Sequence, residues 1–168
     1  FEKIWLGVGL VLVVGLIATI AYGAVGAGVA MVNDDGGQID AEAVANGNYE
    51  AANFDEPGVT QFGEDEYEVH VVAQQFLFRP GTNEPIRVPA DAEVTFYVTS
   101  ADVVHGFSVT GTNLNTMVIP GQVAQFTTRF DEAGEYGLVC HEYCGAGHHT
   151  MGGTIVAVPQ SEYNGTEA

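Results

Sequence analysis

From Ile4 to Val32 the chain carries no charged residue. At 1.5 Å per residue a helix of that length extends roughly 43 Å, against about 30 Å of hydrocarbon in a bilayer. Backbone in lipid must satisfy its own hydrogen bonds, so residues 1–32 read as one transmembrane anchor. Trp5 near one end and Tyr22 toward the other suit the two interfaces. Gly23, Gly26 and Gly28 follow closely, so the helix is expected to fray between Ala24 and Val32. Gly7, Gly9, Gly15, Ala18 and Ala21 permit close packing on a partner helix, or simply face lipid. A cleaved signal sequence cut near Ala27–Ala30 is the rival reading, but the run is longer than a signal core. Lys3 precedes the helix, whereas Asp34 and Asp35 follow it. That asymmetry places the N-terminus in the cytoplasm and the rest of the chain outside.

Beyond the apolar run, acidic residues dominate. The chain holds 22 Asp plus Glu against 4 Lys plus Arg, a formal net charge of −18. The cations are Lys3, Arg79, Arg87 and Arg129. Nucleic acid is excluded as a partner, because nothing can neutralise its phosphates. A focused acidic face would steer a basic partner. The acids instead run from Asp34 to Glu167. Such a spread is expected of a salt-loving organism, where screening shortens self-repulsion to about 3 Å at 1 M salt.

Residues 33–66 are polar, acidic and poor in branched apolar side chains, so they read as a linker. From Tyr67 the pattern turns to short β-rich runs separated by Gly, Pro, Asn and Asp. Strands are expected at Tyr67–Phe78, Glu93–Thr99, His105–Thr110, Val123–Phe130, Gly134–Val139 and Gly153–Val158. With no helical period among them, an antiparallel sandwich or barrel of roughly 95 residues is expected over 67–160. Residues 161–168 form a tail.

Both cysteines fall in one stretch, Cys140-His141-Glu142-Tyr143-Cys144-Gly145-Ala146-Gly147-His148-His149-Thr150-Met151. Two thiols, imidazole and a thioether in one loop select copper over hard cations. The spacing Cys144-x3-His148-x2-Met151 suits a mononuclear blue-copper loop, and Cys140 adds a second thiolate able to bridge two ions. A disulfide and a structural Cys2His2 zinc site remain open on these residues, although neither uses Met151.

This loop, together with the isolated histidine in Asp102-Val103-Val104-His105-Gly106-Phe107, resembles subunit II of haem-copper terminal oxidases (cytochrome c oxidases). The single anchor and the run His105–Asn113 are most similar to the B-type, or ba-type, branch. The resemblance covers nearly the whole chain and implies an all-β, cupredoxin-like Greek-key sandwich behind one N-terminal transmembrane helix. It implies a dinuclear copper centre, CuA, bridged by Cys140 and Cys144. His105 and His148 would each give a ring nitrogen, Met151 an axial thioether and Glu142 its backbone carbonyl. The implied role is electron entry: a soluble donor, cytochrome c or a small blue-copper protein, reduces CuA. The electron then passes to haem and copper in subunit I, where oxygen becomes water. A membrane-tethered mononuclear blue-copper carrier is the alternative. The side chain of Glu142 would reach a magnesium or manganese ion at the junction with subunit I. The segment Gln75-Phe76-Leu77-Phe78 matches the family's aromatic electron-entry segment, which points to Phe76 and Phe78, though alternating aromatics on a strand also suit a core.

Other residues carry weaker expectations. Asp102, three residues before His105, either orients the loop from behind the ligands or is one more exposed acid of a very acidic chain. His141 and His149 are expected to point away from the metals, His70 to lie on a polar strand face, and Met117 to lie in the core.

Overall fold

The computed structural model describes residues 1–25, 32–33 and 36–165. The fraying expected between Ala24 and Val32, the cleavage reading at Ala27–Ala30 and the last three residues of the tail therefore lie outside the described residues, wholly or in large part. Helix α1 spans Glu2–Val25, and its Glu2–Gly23 portion has a mean hydropathy of 2.6 with no part buried against the rest of the chain. Its Thr19 hydroxyl donates to the Gly15 carbonyl at 2.8 Å, so this polar group needs no water. The helix is consistent with a membrane anchor.

In chain order there follow β1 (Val32–Asn33), α2 (Ala41–Ala45), α3 (Tyr49–Ala52), β2 (Gly58–Gln61), β3 (Glu66–Gln74) and β4 (Leu77–Arg79). Next come β5 (Ile86–Pro89), β6 (Glu93–Ser100), β7 (His105–Val109), β8 (Asn115–Val118), β9 (Ala124–Thr128), β10 (Gly134–Val139) and β11 (Gly152–Val158). They build a cupredoxin-like sandwich. One sheet runs β1-β9-β6-β3-β2 with β4 on β3, and the other runs β5-β11-β10-β7-β8.

Period-two alternation sends Tyr67, Val69, Val71 and Ala73 of β3, with Val94, Phe96 and Val98 of β6, into the space between the sheets. Phe107, Val109, Leu138, Ile155 and Ala157 meet them from the other side. Phe96 stacks on Phe126 at 5.2 Å, and Phe107 packs on Phe126 at 5.7 Å. Each such ring removed from water is worth about 1.5–3 kcal/mol.

Several expectations need correcting. An all-β description overstates the chain, which carries α1 and two short helices besides the sandwich. The sandwich is not wholly antiparallel, since β3 pairs with β6, and β5 with β11, in parallel. Between β3 and β6 the chain leaves for β5 in the other sheet, so β6 returns in the direction of β3. The single strand expected over 67–78 is broken at residues 75–76 into β3 and β4.

The acidic stretch read as a linker is built onto the sandwich. Asp40 caps α2 by accepting from the N–H groups of Glu42 and Ala43, and Asn48 caps α3 through the N–H of Ala51. Val44, Ala52 and Phe54 then cover Val72 and Val123 on the outer face of the first sheet. His70 shares that face and is buried beneath the cover rather than solvated. Met117, expected inside, lies exposed on β8. Tyr163, in the expected tail, packs edge-on against Tyr67 at 5.2 Å.

Candidate metal centre

The loop between β10 and β11 closes at its base, where the Cys140 N–H donates to the Met151 carbonyl at 3.3 Å. Within it, turns join His148 N–H to Gly145 O and Met151 N–H to His148 O, at 3.0 and 3.1 Å. The first residue of β7, His105, is brought alongside because β7 pairs with β10. The Cys140 and Cys144 sulfurs stand 3.8 Å apart, both thiols are free, and both residues are buried. That is far beyond the roughly 2.05 Å of a disulfide. His105 Nδ1 lies 3.9 Å from the Cys140 sulfur, and His148 Nδ1 lies 3.6 Å from that of Cys144. The Met151 sulfur is 3.7 Å from Cys144 Sγ, and the Glu142 carbonyl oxygen is 3.2 Å from Cys140 Sγ.

Six candidate donors thus crowd one spot, with His105, Cys140, Cys144 and Met151 buried and Glu142 and His148 half-buried. Two sulfurs at this separation both lie within reach of one ion at a metal–thiolate bond of about 2.3 Å. An ion held there would lie off the line between them and would leave the opposite side for a second. Sulfur and imidazole donors suit copper, and a closed tetrahedral zinc site would leave the thioether unused. The arrangement is a His- and Cys-rich site compatible with a CuA-like copper centre.

Surrounding groups hold the donors. Asp102 Oδ1 meets His105 Nε2 at 2.8 Å, which leaves Nδ1 to face the sulfurs. Oδ2 accepts the Gln75 N–H at 2.8 Å, and Oδ1 also accepts the Val103 N–H at 2.7 Å. The Gly106 N–H points at the Cys140 sulfur, 3.5 Å away. The His141 ring lies so close over Gly106 that a Cβ there would sit 2.3 Å from it. Burial, with the Cys140 thiol beside it, pushes the Cys144 thiol up to about 11 from an ordinary 9.0.

The sequence of this domain, compared with known proteins, matches the family "Cytochrome C oxidase subunit II, periplasmic domain" over residues 42–158. The chain belongs to that family. It is 38% identical over 162 residues to a cytochrome c oxidase subunit 2 of Thermus thermophilus, covering 93% of this chain and 90% of the relative. A chain in a cryo-EM structure of a heme-copper terminal oxidase dimer is 33% identical, with a TM-score of 0.65, covering 94% of this chain and 99% of that one. The periplasmic domain of subunit II from Bradyrhizobium japonicum shares the fold at 20% identity and a TM-score of 0.53, covering 56% of this chain and 86% of that domain.

In this subunit II family member the residues singled out by sequence, His105, Cys140, Glu142, Cys144, His148 and Met151, converge. The electron-entry residues part company. Phe78 is a core residue, edge-on to Phe107 at 5.7 Å, and offers no surface to a donor. Phe76 is half-buried over the loop, where a Cβ on Gly147 would sit 2.4 Å from its ring. His141 and His149 are exposed. Sequence reasoning assigned no role to Gln75, whose side-chain amide donates to the Cys144 carbonyl while its N–H holds Asp102. No local pattern marks such a residue, because its partners lie 27 and 69 positions away.

Proposed function

We propose that this chain is the electron-transfer subunit of a haem-copper terminal oxidase, receiving electrons from a soluble donor and passing them to subunit I. The observation that carries this reading is the pair of thiols 3.8 Å apart, flanked by two imidazole Nδ1 atoms and a thioether. Cys140 and Cys144 would bridge the two coppers, with His105, His148, Met151 and the Glu142 carbonyl as the remaining ligands. When bound, CuA supplies one shared electron spread over two metals, so each bond changes little on reduction. The chain's part is to hold the donors rigidly and leave no open position for a substrate.

Phe76, over the loop, is the electron-entry contact in this reading. Val103 and Tyr143, exposed on the two segments that bring the donors, suit protein contact near the centre. A Glu142 carboxylate directed to a magnesium or manganese ion at the subunit I junction belongs to the same reading. So do a B-type lineage, supported by the run His105–Asn113, and a salt-rich setting, supported by the net charge of −18. Orientation with the copper domain outside follows from Lys3 ahead of α1.

Electron spin resonance of the copper-loaded full chain in detergent tests the assignment. One electron shared by two spin-3/2 nuclei gives a seven-line hyperfine pattern. Cys144→Ser is expected to abolish it, and Met151→Leu to keep two coppers with a shifted potential. A four-line pattern with one copper per chain would instead identify a mononuclear carrier.

A further inference from the structure

A second set of donors converges on the outer face of the first sheet, away from the Cys140–Met151 loop. His70 projects from β3 opposite the core, with its side chain 9% exposed. Its ring stacks on Tyr97 at 4.8 Å with an interplanar angle of 4°, and Phe54 closes it edge-on at 5.3 Å. Glu68 lies two residues earlier on the same face, and Asp55 arrives from the segment after α3. One ligating atom from each of these three residues lies within 4.8 Å of the others. Gly58 stands opposite His70 in the β2 pairing, so the neighbouring strand puts no side chain over this spot.

The cluster is electrostatically incomplete. His70 Nε2 is 3.5 Å from Asp55 Oδ2, beyond the usual hydrogen-bond range. Burial pushes the imidazole below its ordinary value, against the pull of Asp55 and Glu68, so it stands neutral and offers a lone pair. The chain's basic residues are committed elsewhere. Arg79 is engaged by Tyr49 and Gln74, Arg129 by the Asp91 carbonyl, Arg87 lies on β5 in the other sheet, and Lys3 belongs to α1. Two carboxylates therefore face a neutral imidazole with no Lys or Arg ion pair among the described residues.

We propose that His70, Asp55 and Glu68 form a divalent-cation site, with zinc as the best-suited ion, that fastens the segment after α3 to β3. One imidazole nitrogen and two carboxylate oxygens are a zinc-type donor set, with water completing four-coordination. Magnesium and calcium are disfavoured, since both take oxygen donors. The Tyr97 hydroxyl lies 3.4 Å from Glu68 Oε1 and faces that carboxylate from outside the three donors. The Asp55 side chain is 82% exposed, which supplies an entry path for the ion.

Zinc ions titrated into the copper-loaded full chain in detergent, followed by calorimetry and zinc-edge X-ray absorption, test this site. The expected result is one zinc per chain with a nitrogen and oxygen shell and an unchanged copper signal. Asp55→Asn and Glu68→Gln keep side-chain shape and leave the buried histidine in place. Each is expected to weaken zinc binding by at least about tenfold, since loss of even an outer partner costs that much. Sulfur in the zinc shell, no zinc bound, or an affinity in either variant unchanged from that of the unmodified chain would overturn the proposal.

Discussion

Asp102 fixes the His105 imidazole with Nδ1 toward the Cys140 sulfur, without being one of the candidate donors itself. Burial raises the carboxyl pKa, but hydrogen bonds with His105 and the N–H groups of Gln75 and Val103 outweigh this and hold it below the ordinary value. An ionised Asp102 accepts the Nε2 proton of His105 and thereby sets the tautomer. The Cys144 thiol behaves oppositely. Because it is pushed up to about 11, it keeps its proton at neutral pH until a metal displaces it. Copper affinity is therefore expected to rise about tenfold per pH unit on account of this one group, below its own pKa. Chelator competition between about pH 6 and pH 8, referenced to the chelator's own protonation, checks the slope. The candidate donors are easy to single out in the sequence, since five of the six fall within twelve positions. Gln75 was not, because its role exists only once β3, β7 and the loop have met in space.

Among elements, the β3–β4 turn fits closely against the loop. A Cβ on Gly147 would sit 2.4 Å from the Phe76 ring, and one on Gly145 would sit 2.7 Å from the Gln75 amide. Gly147→Ala is expected to destabilise the domain by displacing that ring. In a Phe76→Ala background the added methyl has room. The two substitutions are expected to couple by about 0.5–3 kcal/mol, measured by a denaturant double-mutant cycle. The major strands were readable because their alternation and flanking turns are local. Helices α2 and α3 were not, for they are only 5 and 4 residues long. Helices so short draw their stability from packing rather than propensity. Their caps, Asp40 and Asn48, read as polar linker in sequence, because Val72 and Val123, on which Val44, Ala52 and Phe54 pack, are distant along the chain. The parallel pairing of β3 with β6 was hidden for a similar reason, since it depends on where the intervening chain goes.

For the whole molecule, charge is the dominant variable. A net charge of −18 with few cations leaves the folded state repelling itself at low salt. Raising sodium chloride from about 0.01 M to 1 M shortens the screening length from about 30 Å to 3 Å. The melting temperature of the detergent-solubilised chain is expected to climb across that range, as followed by circular dichroism. A flat response would show that the acids are already balanced within the fold.

The clasp between the Cys140 N–H and the Met151 carbonyl bears on how such a protein matures. Peptide–peptide bonding, the Asp102 anchor and the Phe76 ring over the loop shape the socket through protein contacts alone. Zinc fingers, by contrast, stay unfolded until their ion arrives. Here the order is expected to be reversed: the polypeptide folds first, and the metal enters a receptacle already shaped to receive it.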